Sequence, residues 1–208
     1  MSSRIDVRKL EERQLDALRE VANMGAGHAA TALSQLTQSR IMVDVPRLRI
    51  VPLEEVPELL SEPGEVVAAV LMHMLGDLTG RTLLVFPRDA AMRLAEILLR
   101  RETGTSKVFG ELEQSALKEA GNILSAAYMN ALSDFLGLML LPSVPNLVID
   151  LSAAVITTTY TNFGSERDHV FCIETRFTMG NEQVVEGHFL LLPDAESLEV
   201  ILRTIRLG

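Results

Sequence analysis

Two short patterns in the chain set a carboxylate three residues ahead of an amide: Glu20 with Asn23, and Glu119 with Asn122. On a helix that spacing holds the two side chains side by side, so that both can enter one pocket of a partner. An amide accepts a hydrogen bond from water and donates another elsewhere, so it can hold a water molecule in one orientation. Four residues before each Glu stands a further polar residue, Asp16 or Ser115, and four residues after each Asn a small one, Gly27 or Ala126. The other chemistry-bearing residues form no comparable group. His28, His73, His169 and His188 stand at no metal-ligand spacing with Cys or acidic residues, so a metal site is not expected. Walker-type phosphate loops and Gly-x-Ser-x-Gly elbows are absent. The single Cys172 excludes an internal disulfide and, in its apolar run, reads as a small buried hydrophobe.

The elements that must position these residues are two amphipathic helices, expected over about Glu11 to Leu36 and Glu111 to Leu136. At about 100° per residue, Leu15, Leu18, Ala22, Ala29, Leu33 and Leu36 share one face, which is expected to be buried. Asp16, Glu20, Asn23 and Gly27 fall on a stripe roughly opposite. The second helix repeats this, with Leu117, Leu124, Leu132 and Phe135 inside and Ser115, Glu119, Asn122 and Ala126 outward. An exposed Glu is a good helix former and needs no special account. Asn costs roughly 0.7 kcal/mol against Ala inside a helix, so a solvated surface does not favour it twice. Gly25 and Gly27 cost about 1 kcal/mol each at mid-helix. Gly25 points toward the packed face, where it can admit another element, and Gly27 outward, where it can admit a partner.

The two helices belong to halves that repeat. A shift of 99 superposes residues 16–56 on 115–155 without a gap and gives 12 identical pairs in 41, including Pro46 with Pro145. Most of the others are core positions, such as Leu33 with Leu132 and Val56 with Val155. Strands are expected at Ile41–Val51, Val66–Met72 and Arg81–Phe86, then at Leu147–Tyr160, His169–Phe177 and Val184–Leu192. Turns fall at Gly76-Asp77 and Gly180-Asn181, and each half closes with a helix, Asp89–Arg101 and Ala195–Arg206. The acidic run from Glu54 to Glu65 reads as a short solvated helix and loop, and Glu102 to Gly110 as the connector. The expected fold is α+β: one domain over residues 1–208, built of pseudo-symmetric halves at about 11–101 and 111–206, its sheet covered by helices.

Bulk properties narrow the function. The 208 residues are 48% apolar and can bury a sizeable core. A net charge of −9 and only 4% aromatic residues argue against a nucleic-acid surface. The N-terminus is too charged for a secretory signal, and Leu136 to Pro142, the longest apolar run, is too short to span a membrane. A cytoplasmic monomer is expected.

The full pattern is Asp16-x3-Glu20-x2-Asn23-x22-Pro46, repeated as Ser115-x3-Glu119-x2-Asn122-x22-Pro145. It resembles the signature of the CheC/CheX/FliY phosphatases, and its occurrence twice resembles the CheC branch. The resemblance implies hydrolysis of the aspartyl-phosphate on a CheY-type chemotaxis response regulator, with Asn23 and Asn122 orienting the attacking water. Glu20 and Glu119 would dock on the regulator's active-site Lys, while the regulator supplies its own Mg²⁺, so no resident cofactor is implied. Asp16, Ser115 and Gly27 would tune the contact, and Pro46 and Pro145 would shape the following strand. It also implies an alternative, an adaptor that binds and regulates the receptor deamidase CheD, with Asp150 a candidate contact. A third class, a structural part of the flagellar switch, would be marked by loss of the Glu and Asn pairs, and both are present.

Overall fold

In the computed structural model, which describes residues 12–52, 55–60, 62, 64–161, 169–179 and 183–207, the apolar stripes of both long helices are buried. Helix α1 spans Glu12–Thr37 and helix α4 spans Glu111–Leu136. The buried line of α1 runs Leu18, Ala22, Gly25, Ala29, Leu33 and Thr37, and that of α4 includes Leu117, Gly121, Leu124, Tyr128 and Leu132. Two residues expected inside are not: Leu36 is 44% exposed and Phe135 39%. Four steps beyond Leu33 the stripe reaches Thr37, so Leu36 is turned about 100° away from it. The Thr37 hydroxyl donates to the Leu33 carbonyl at 2.8 Å, which lets a polar residue close the buried line.

The remaining elements are β1 Ile41–Pro52, α2 Val56–Leu60, β2 Val66–Gly76, β3 Gly80–Pro87, α3 Arg88–Leu98, β4 Leu140–Pro142, β5 Asn146–Leu151, α5 Ser152–Thr161, β6 His169–Met179, β7 Val184–Pro193 and α6 Ala195–Leu207. The strands form one antiparallel sheet in the order β1-β6-β7-β3-β2, with β4 and β5 both pairing on β2. The halves exchange strands across it. β1 of the first half pairs with β6 of the second, β5 of the second pairs with β2 of the first, and β3 joins β7 at the centre. One face of the sheet packs under α1, α3 and α4, and the other under α2 and α5.

The repeat extends to backbone detail. Between Asp44↔Arg176 and Arg47↔Glu174 the edge strand β1 carries one extra residue, with Pro46 in the irregular stretch. Between Pro142↔Met74 and Asn146↔Leu71 the second half carries one extra residue too, ending at Pro145, so β4 and β5 together are the counterpart of β1. A proline has no N–H to give a ladder and is at home on an edge or at a bulge. After α4 the chain turns through Gly137 at φ +66°, and after α1 through Gln38 at φ +54°, the equivalent position. Gln38 holds that left-handed geometry with help from Arg100, which donates to its side chain at 3.0 Å and to the Leu36 carbonyl at 3.1 Å.

One expected strand is a correction. Leu147–Tyr160 is not a single strand: the chain leaves the sheet after Leu151 and forms helix α5. Val155, Ile156 and Thr159 turn inward, a helical spacing, and cover the sheet beside α2. The Gly76-Asp77 turn falls between β2 and β3 as expected, whereas Gly180-Asn181 lies outside the described residues. Helix α6 starts on Asp194, whose carboxylate accepts from the Ser197 amide at 2.9 Å.

Candidate active site

The Glu and Asn pairs sit on helices whose other face is locked into the core. α1 lies against α4 with Gly25 over Tyr128, so close that a methyl group on Gly25 would come within 2.6 Å of the ring. The Tyr128 ring is stacked on Phe189 at 4.4 Å between centroids, which fixes this contact from below. α4 approaches the sheet through Gly121, where an added Cβ would meet Val70 at 2.4 Å. The start of α4 is held by the connector. Buried Glu96 of α3 accepts from the Gly104 amide at 2.7 Å and the Ser106 amide at 2.6 Å. Glu113, in the first turn of α4, pairs with Arg101 at 2.5 Å. Burial alone would raise the Glu96 carboxyl, but the amide and hydroxyl bonds from Ser106, Gly104 and Thr105 outweigh it and hold it below its ordinary value.

On this rigid support Glu20, Asn23 and Glu119 are exposed and Asn122 is half-buried. None of the four makes a side-chain hydrogen bond or ion pair among the described residues, so carboxylate and amide at each site are available to a partner. Asp16, Ser115 and Gly27 are exposed on the same stripes, and Ala126 is half-buried. A Cβ on Gly27 would meet nothing within 4 Å, the reverse of Gly25.

The two sites differ at their flanks. Asp16 is tied to Arg19 at 2.7 Å, both largely solvated, whereas Ser115 and its neighbour Lys118 make no such pair among the described residues. Comparison by residue identity passes over Arg19 with Lys118 and Met24 with Ile123. The signal that finds them is residue class: a cation just before each Glu and a large apolar residue just after each Asn.

The remaining candidates lie elsewhere. Asp150 is exposed on β5, opposite Val67 of β2, and its carboxylate accepts from the next amide, Leu151, at 2.7 Å. Cys172 is buried in β6, and burial pushes its thiol up to about 12, which suits a packing residue and not a nucleophile. His28 is exposed on α1. Among the described residues no three His, Cys, Asp or Glu side chains come together as metal ligands, and no helix is long and apolar enough to cross a membrane. Each site thus sets an amide beside a carboxylate, with a cation, Arg19 or Lys118, directly before the Glu.

The CheC-like family matches residues 14–50 and 112–149, the two helix-and-strand units that carry the sites. The chain is 34% identical to the CheY-P phosphatase CheC of Bacillus subtilis over 91% of this chain and 92% of that protein. In fold it is similar to FliY of Thermotoga maritima, with a TM-score of 0.77 at 20% identity, over 94% of this chain and 99% of that one. The FliM middle domain from H. pylori has the same fold at a TM-score of 0.66 and 15% identity, again over 94% and 99%.

Proposed function

Because the chain belongs to the CheC-like family, we propose that it is a cytoplasmic phosphatase acting on the aspartyl-phosphate of a CheY-type response regulator. The observation that carries the proposal is the doubled Glu and Asn pair, which makes no side-chain hydrogen bond or ion pair among the described residues and lies on two helices whose other face is packed in the core. An aspartyl-phosphate is an activated mixed anhydride, and the regulator brings its own Mg²⁺. Positioning and electrostatics are the contributions still to be made, and a fixed amide can make them.

In this reading Asn23 and Asn122 accept a hydrogen bond from the attacking water and hold it in line with the bond to be broken. Glu20 and Glu119 dock on a Lys of the regulator beside its phosphoryl group. The i, i+3 spacing delivers both groups into one pocket. Asp16, Ser115 and Gly27 shape the rim.

The test is the decay of the regulator's acyl phosphate with Mg²⁺ present, comparing no added protein, the wild type, Asn23→Ala, Asn122→Ala and the double mutant. Faster decay with wild type, lowered by each single change and lost in the double, is the expected result. An adaptor for the deamidase CheD is the second reading, favoured by Asp150, which stands exposed on β5 at the sheet's edge. No acceleration by the wild type, with CheD binding lost in Asp150→Lys, would favour it.

A further inference from the structure

The two sites share a charge problem. The phosphoryl group is an anion, the whole chain carries −9, and each Asn has a carboxylate beside it. Glu20 and Glu119 help docking but repel the charge that grows on the phosphoryl oxygens. Each repeat also carries a cation four residues before its Asn, Arg19 for Asn23 and Lys118 for Asn122. On a helix the i and i+4 side chains lie on one face, and a side chain leans toward the turn before its own Cα. The amide of Asn122 therefore hangs over the turn of Lys118 and Glu119, with the cation on one flank and the carboxylate on the other. Asn23 stands the same way to Arg19 and Glu20.

We propose that Lys118 at the second site, and Arg19 at the first, is a further catalytic residue: a cation that donates to a non-bridging oxygen of the phosphoryl group as water attacks. The inference rests on the phosphatase reading. In the step, the water oxygen bonds to phosphorus and the bond to the regulator's carboxylate breaks with its electron pair. A water proton passes to the departing phosphate, while the cation keeps its own proton throughout. The two cations are not equally free. Arg19 Nη1 lies 2.7 Å from Asp16 Oδ1, whereas Lys118 has no partner among the described residues. Asp16 thus holds the first-site cation back, and Ser115 leaves the second-site cation available.

The experiment uses the full chain with one site silenced at a time, and reads kcat and KM from acyl-phosphate decay on a phosphorylated receiver with Mg²⁺. In the Asn23→Ala background, Lys118→Met is expected to lower kcat about tenfold with little change in KM, and Lys118→Arg to restore most of it. In the Asn122→Ala background, Arg19→Met lowers kcat and Asp16→Ser raises it. Circular dichroism and thermal melting guard against misfolding, above all for Lys118, which is half-buried where Arg19 is exposed. An unchanged kcat in both cation-to-Met variants overturns the proposal, as does an effect confined to KM, which would make the cations docking charges only. Failure of the unmodified protein to accelerate decay is a different result, because it overturns the phosphatase reading and takes this inference with it.

Discussion

Gly25 and Gly27 stand two positions apart on α1, one packed against α4 and the other open. An added methyl at Gly25 would lie 2.6 Å from the Tyr128 ring and 3.0 Å from its Cα, and the ring is trapped against Phe189. Gly25→Ala should therefore destabilise the fold, because overpacking costs about 1–3 kcal/mol against a helix-propensity gain of about 1. Gly27→Ala meets nothing and should raise stability by about 1 kcal/mol. The second repeat already has Ala126 at that place, so first-site activity should survive the change. Gly27→Trp should leave melting nearly unchanged and yet lower first-site turnover by about tenfold or more, since displacing a docked phosphoryl group by an ångström is costly. Melting temperatures paired with acyl-phosphate decay in the Asn122→Ala background check all three. A Gly27→Trp protein with full first-site activity would show that the regulator does not approach across Gly27.

At the scale of elements, the connector between α3 and α4 sets where the second-site helix begins, and it is organised around a buried carboxylate. Glu96 accepts two backbone amides, so replacing it by Gln aims an NH₂ group at donors and should cost about 1–3 kcal/mol. Because the folded carboxyl is held below its unfolded value, its stabilisation is present above about pH 4.3 and is lost as pH falls through the folded value. Urea midpoints measured down the acid limb should thus fall steeply for the wild type and less steeply for Glu96→Gln, and parallel curves would remove Glu96 from the account. Nothing in the sequence marked Glu96, since a Glu on an amphipathic helix reads as solvated until the connector folds over it. The long helices and the outward stripe of Glu and Asn were legible because the 3.6-residue period and the repeat agreed. Helix α5 was not. Leu147 to Tyr160 is rich in Val, Ile and Thr, and β-propensity extended the strand past Ser152. The repeat held the better signal, because Val155 aligns with Val56, in a segment already read as helical.

For the whole molecule the decisive feature is the exchange of strands between halves. Sequence repetition alone would allow two units that fold separately, each with its own helix, three strands and closing helix. The sheet is wired otherwise: β1 finds its partner β6 only in the second half, and β5 finds β2 only in the first. A fragment of residues 1–101 would keep the β2–β3 hairpin but leave β1 without a partner strand, β2 without β5 and β3 without β7. It would also strip α1 of α4, exposing the apolar stripe and the seat of Gly25. Unpaired edges and an uncovered helix face are expected to drive such a fragment to a dimer or an aggregate. Light scattering and circular dichroism should find no monomer with a cooperative melting transition. Mixing and refolding the two halves should restore a one-to-one complex, because each carries the edges that the other lacks. That complex should regain accelerated acyl-phosphate decay, because both Asn-bearing helices would again rest on one sheet. A monomeric fragment that melts cooperatively would instead mean that the exchanged strands are dispensable, with each half positioning its own site.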